Sequence, residues 1–178
     1  MKLIAAIVVS AISGLLALPL LAGGTIGQAI AGCGDVPRVL DTIRTLESGG
    51  DYTVKAAHAS ASGAYLIIDS TWAPWSAAAG VGTEYQHASQ APPAVQDAVA
   101  GYHVQLILDQ YRDVSYVPVA WYYPAAITNT ALMDIVPAPE AGNTLTPRQY
   151  QTRWMGVYDS KAATGTVVQA AHVESMIW

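Results

Sequence analysis

Residues 3–22 form one apolar run, interrupted only by Ser10, Ser13, Gly14 and Pro19, and no charged residue lies between Lys2 and Asp35. About 20 such residues are enough to cross a bilayer as a helix. Lys2 precedes the run and the acids Asp35 and Asp41 follow it, an asymmetry that keeps the amino terminus in the cytoplasm and exports the remainder. Residues 1–34 are therefore read as a signal peptide or membrane anchor and set apart from the fold.

Beyond that run the pattern becomes helical. Asp35 is placed to cap a helix with Pro37 in its first turn, and Val36, Val39, Leu40, Ile43 and Leu46 mark one stripe that ends at Ser48-Gly49-Gly50. A loop rich in Ala, Ser and Thr follows over residues 51–62. Residues 63–68, Gly-Ala-Tyr-Leu-Ile-Ile, read as a short strand or a turn of buried backbone. A second helix is expected after Asp69, and a third from Pro92-Pro93 to about Arg112 with Val95, Ala98, Val99, Tyr102 and Leu106 facing inward. Residues 114–123 predict a shorter helix ending before Pro124, and residues 137–143 a surface connection. Thr146-Pro147-Arg148-Gln149 has the form of a capping box and predicts a last helix to about Asp159. Residues 35–160 thus make one candidate domain, with a carboxy-terminal tail over 161–178.

Composition narrows the function classes. Hydrophobic residues make up 52% of the 178 and charged residues 12%, which excludes an intrinsically disordered chain. A formal charge of −5 offers no basic surface for phosphates, so nucleic acid is not an expected partner. One cysteine, Cys33, makes neither an intrachain disulfide nor a zinc site. Ile30-Ala31-Gly32-Cys33 resembles a bacterial lipobox, so three fates stand for the leader: a retained anchor, cleavage after the small pair Ala29 and Ala31, or lipidation at Cys33. His58, His87, His103 and His172 are scattered without metal-ligand spacing, and neither a metal nor a cofactor is expected.

One side chain breaks the apolar stripe of the first helix. Glu47 lies four residues after Ile43 and seven after Leu40, which turns its carboxyl group toward the core. It also sits in the last turn, where the negative end of the helix dipole disfavours another negative charge. Both effects favour the neutral acid, and a carboxyl that holds its proton near neutral pH is what a general acid requires. The bland reading of the same position is a half-exposed glutamate at a fraying helix end, paired with Arg44 or water.

The run Ile43-Arg44-Thr45-Leu46-Glu47-Ser48-Gly49-Gly50-Asp51-Tyr52, followed by Ala61-Ser62-Gly63-Ala64-Tyr65 and by Asp69-Ser70-Thr71-Trp72, resembles the lysozyme-like transglycosylases of bacterial cell walls, including the resuscitation-promoting factors. The likeness spans residues 35–124. It implies a mainly helical α+β, lysozyme-like fold with a glycan cleft. It also implies cleavage of the β-1,4 bond between N-acetylmuramic acid and N-acetylglucosamine in peptidoglycan glycan strands. Glu47 takes the place of the catalytic glutamate, and Ser48, Gly63, Ala64, Tyr65, Leu66, Trp72 and Tyr122 are the substrate-binding candidates. Two departures stand out: Leu66 occupies the place of a glutamine, and Ala120-Trp121-Tyr122-Tyr123-Pro124 lacks the asparagine of the family's Ala-Tyr-Asn motif. Tyr122 reads equally as core packing, as do Trp72 and Trp75 in a chain without phenylalanine.

A two-carboxylate glycosidase needs its second acid within roughly 5–10 Å of the first, and Asp51, Asp69 and Asp97 are the residues to consider. A lytic transglycosylase needs only Glu47. The expected activity is an exported lytic transglycosylase or muramidase, and the alternative a non-catalytic peptidoglycan-binding or envelope-assembly module with a degenerate cleft. The protein is expected at the outer face of the cytoplasmic membrane or beyond it. Protease added to intact spheroplasts should therefore digest it. Complete protection of a cytosolic protein contradicts export, and an added mass that vanishes in Cys33→Ser identifies lipidation.

Overall fold

The computed structural model describes residues 35–174, with side chains described through Lys161. The leader, Cys33 and the last four residues lie outside the described residues. The described chain is mainly helical: α1 (Val36–Glu47), α2 (Asp69–Ala79), α3 (Pro93–Tyr111), α4 (Tyr116–Tyr122), α5 (Ala125–Thr128) and α6 (Pro147–Glu174). Among these residues no helix is long and apolar enough to cross a membrane.

Local chemistry sets the ends of α1. The Asp35 carboxylate accepts from the Arg38 N–H, and Pro37 occupies the first turn, where its missing N–H costs nothing. At the other end the Ser48 and Gly50 N–H groups both donate to the Arg44 carbonyl, and Gly49 and Gly50 take the left-handed conformation that glycine adopts without strain. The capping box of α6 is reciprocal, since the Gln149 side chain accepts from the Thr146 N–H at 2.9 Å and the Thr146 hydroxyl from the Gln149 N–H at 3.2 Å.

α3 runs through the middle, packed on α1, α2 and α4, while α6 closes the opposite side against α1 and α4. Its buried face is Gln96, Val99, Ala100, Val104 and Leu108. The expected face was turned by about one residue, or 100° of helix. Ala98 is exposed, and Tyr102 and Leu106 are 42% and 46% exposed. A polar residue explains the offset. Gln96 heads the inward row at positions 96, 100, 104 and 108, so an apolar count picks Val95 in its place.

The β part of the expected α+β class reduces, among the described residues, to isolated antiparallel bridges between Lys55 and Ser62 and between Ser62 and Ile67. Residues 63–66 form a tight turn between Ser62 and Ile67, and residues 61–67 are all buried. A buried turn must satisfy its own backbone groups. Here Gln96 does so: its Oε1 accepts from the Ala64 N–H at 2.9 Å, and its Nε2 donates to the carbonyls of Tyr52 and Ala91. Gly63 makes room for that amide. With φ at +76°, it would place a Cβ 2.3 Å from Gln96 Oε1.

Three further boundaries differ from the pattern. α4 starts at Tyr116 rather than 114, because the Asp113 carboxylate accepts from the Ser115 N–H and holds a turn there. The 137–143 connection carries a 3-10 turn, Pro139–Ala141, and the buried Asn143 side chain donates to the Pro137 carbonyl at 2.7 Å. α6 continues past Asp159 to Glu174, since its Ala-rich continuation contains no proline and retains helix propensity after the apolar period fades.

Gln96→Leu should be among the most damaging isosteric changes in the domain. It leaves one N–H and two carbonyls without a buried partner, at about 1–3 kcal/mol each. Urea unfolding should show a loss of roughly 3 kcal/mol or more, and a loss under about 1 kcal/mol would contradict this role for Gln96.

Candidate active site

Glu47 occupies the last turn of α1 and is 4% exposed. The stripe of Val39 and Ile43 carries it into the core, as its spacing requires. Tyr150, on the first turns of α6, donates its hydroxyl hydrogen to Glu47 Oε1 in a short hydrogen bond. The other oxygen, Oε2, is shielded from solvent and has no hydrogen-bond partner among the described residues. Tyr150 in turn stacks on Tyr122 at 4.4 Å between ring centroids, and the Tyr122 hydroxyl donates to the Leu145 carbonyl at 2.9 Å.

Loss of hydration dominates the electrostatics. Burial pushes the Glu47 carboxyl from an ordinary 4.5 up to about 8, against the opposing influence of the Tyr150 hydrogen bond and the Arg153 charge. Burial also raises Tyr150 well above its ordinary value, with the neighbouring Glu47 charge acting in the same direction. Tyr122 is pushed up to about 12 by burial and by Glu47. At neutral pH the three groups are uncharged hydrogen-bond donors, and Glu47 retains a proton to give.

Arg44, the residue that could have neutralised Glu47 at the helix end, is committed elsewhere. Its Nη1 donates to Asp97 Oδ1 at 2.9 Å, and the same oxygen accepts from the hydroxyls of Tyr52 and Tyr65 at 2.8 and 2.6 Å. The half-exposed, Arg44-paired glutamate is thereby excluded. Asp97 is the hub of a polar cluster, with its side chain partly exposed.

The remaining candidates divide between the turn and the core. Ser48 is buried and donates from its hydroxyl to the Ala64 carbonyl at 2.9 Å, which ties the end of α1 to the turn holding Gly63, Ala64, Tyr65 and Leu66. Tyr65 is 1% exposed, packs near Trp121 and spends its hydroxyl on Asp97. Leu66 is also 1% exposed and holds the left-handed conformation, φ 47°, that a leucine adopts only under strain. Trp72 is fully buried, with its indole N–H donating to the Tyr85 carbonyl at 2.8 Å. Trp75 is partly buried, stacked on His103 at 4.1 Å and edge-on to Trp121. The structure therefore gathers Glu47 and Tyr122 around Tyr150, attaches Ser48 and residues 63–66 behind them, and commits Tyr65 and Trp72 to internal bonds.

The other carboxylates are occupied. Asp51 accepts from the backbone and hydroxyl of Thr53, and Asp69 lies 2.8 Å from His87. Among the described residues no three His, Cys, Asp or Glu side chains gather as a metal site. Tyr150 was not foreseen from the sequence. Its only signal was its place one turn into a capped helix, 103 residues from Glu47.

No protein-family model, no curated protein and no solved structure matches the chain.

The raised Glu47 value fixes the sign of a pH effect. Between about 4.5 and 8 the native state holds a proton that the unfolded chain has released, so stability falls as pH rises through that window. The wild type should lose on the order of a few kcal/mol between pH 5 and 8 relative to Glu47→Gln, whose amide does not titrate. Parallel stability profiles for the two proteins would contradict a buried, protonated Glu47.

Proposed function

We propose that the chain is an exported peptidoglycan lytic transglycosylase or muramidase with a lysozyme-like fold, cleaving between N-acetylmuramic acid and N-acetylglucosamine with Glu47 as general acid and base. The observation that supports this reading most is the Glu47 carboxyl itself. It is neutral at pH 7, held at one oxygen by Tyr150, and unpartnered at the other.

In this mechanism the proton on Oε2 passes to the glycosidic oxygen as the bond from that oxygen to C1 of the muramic acid breaks. Positive charge develops at C1, and the new Glu47 carboxylate lies beside it with Tyr150 still donating to Oε1. The carboxylate then takes the proton of the sugar's 6-hydroxyl while that oxygen closes on C1, giving a 1,6-anhydro end and restoring the neutral acid. In a muramidase a water molecule takes the place of the 6-hydroxyl. No metal, cofactor or second carboxylate is needed. With Glu47 only 4% exposed, the glycan must displace part of the wall covering Oε2 before the proton can pass.

A non-catalytic peptidoglycan-binding or envelope-assembly module is the second reading. It is favoured by Leu66, an apolar side chain buried where the resembled family places an amide.

Purified peptidoglycan incubated with the protein should release muropeptides whose masses distinguish anhydro from hydrolysed ends. Glu47→Gln should lower that release by about 10²–10⁴ while leaving the fold intact. Full release by the variant removes Glu47 from the mechanism. Binding without release by the native protein supports the second reading.

A further inference from the structure

A cavity beside Ala61 and Ser62 has Glu47 outside its lining. Its volume is about 170 Å³, and Lys55, Ser60, Ser62, Asp69, His87 and Ser89 are its polar lining residues. Five or six water molecules would occupy such a space, or one small ligand of about six to eight heavy atoms.

The wall holds donors, Lys55 and serine hydroxyls, beside two acceptors, the Asp69 carboxylate and one His87 ring nitrogen. His87 Nδ1 lies 2.8 Å from Asp69 Oδ1. A carboxylate can only accept, so Nδ1 carries the hydrogen, and in that tautomer Nε2 bears a lone pair and accepts. The Ser62 hydroxyl oxygen accepts from the Ser89 N–H at 3.2 Å, which keeps its own proton available. Ser89 Oγ is shielded from solvent and has no hydrogen-bond partner among the described residues. A buried hydroxyl in that state is costly unless something bonds it. Lys55, exposed at the rim, forms no ion pair among the described residues. The one acid in the wall, Asp69, is occupied by His87 and by its place in the first turn of α2. Ala56, Ala59 and Ala61 add methyl groups to the lining, and Ser60 spends its hydroxyl oxygen on the Asp69 N–H at 3.2 Å.

An ammonium group and the Ser62 and Ser89 hydroxyls beside alanine methyls match a short aliphatic carboxylate. We infer that this cavity binds the carboxyl end of a short alanine-terminated peptide, with Lys55 and the Ser62 and Ser89 hydroxyls on the carboxylate and the terminal methyl against Ala56 and Ala61. The carboxylate assignment stands on the cavity alone. Its source, the peptide stem of peptidoglycan, rests on the function proposed above. The cavity would then read the stem while Glu47 acts on the glycan that carries it.

The full-length protein can be titrated with D-alanyl-D-alanine, with the C-terminal amide of that dipeptide, and with inorganic phosphate, following the NMR signals of the His87 ring and the Ser89 amide. The free carboxylate should shift both signals saturably. The amide should bind at least about tenfold more weakly, phosphate should bind no better than the amide, and Lys55→Ala and Ser89→Ala should each weaken the dipeptide about tenfold. Unmoved signals, equal binding of the amide, or tighter binding of phosphate would overturn the carboxylate assignment. For the source, Glu47→Gln protein should sediment with stem-bearing peptidoglycan in preference to glycan stripped of its stems, and the preference should vanish when Lys55→Ala is added. Equal sedimentation overturns the stem assignment. Dipeptide binding without any muropeptide release counts against the enzymatic reading alone.

Discussion

Keeping a carboxyl group out of water is the constraint around which this domain is organised. Glu47 arrives in the core because α1 carries its apolar stripe one turn further than its apolar residues do, and the group survives there by staying protonated. The fold contributes one directed hydrogen bond, from Tyr150, which joins the end of α1 to the start of α6 across 103 residues of sequence. Ionising Glu47 in place would leave a charge with no counter-ion within hydrogen-bonding reach, and burial of such a charge costs several kcal/mol even after relaxation. In the proposed function, the feature that makes the native state prefer a proton also supplies the proton that the acid would give.

The cluster around Asp97 makes this possible. Arg44 sits three residues before Glu47 and is drawn to the other side of the helix end, where Asp97, Tyr52 and Tyr65 hold it. Were Arg44 paired with Glu47, the carboxyl would ionise and lose its capacity as an acid near neutral pH. The 63–66 turn lies between these two polar centres. Ser48 and Gln96 fasten it from the α1 and α3 sides, so its buried backbone finds partners without a sheet.

Much of this was legible in the chain, for identifiable reasons. Local signals worked where local physics decides: Asp35 and Pro37 at the start of α1, Ser48-Gly49-Gly50 at its end, and the Thr146–Gln149 capping box. Glu47 was visible as a carboxylate on an apolar stripe. The inward face of α3 was missed because its leading residue is a glutamine, whose burial depends on partners in the 63–66 turn and in residues 52 and 91. Tyr150 was missed on the same grounds, and Asp97 was considered only as a second carboxylate, not as the partner of Arg44. Their roles come from contacts 32 to 103 residues distant in sequence, and nothing in their own neighbourhoods marks them. Tyr65 and Trp72, named as substrate-binding candidates with core packing as the other reading of Trp72, are buried, and Asp97 and the Tyr85 carbonyl engage their polar ends.

The most direct test is the titration of Glu47 itself. Carboxyl ¹³C shifts of the glutamate side chains, with Glu47→Gln used to assign the signal, report its ionisation in the folded protein. A midpoint near 8 agrees with a buried acid held by Tyr150 and unpaired with Arg44. A midpoint near the ordinary 4.5 would show a solvated carboxylate at a helix end, and would remove the physical basis for Glu47 as a proton donor at neutral pH.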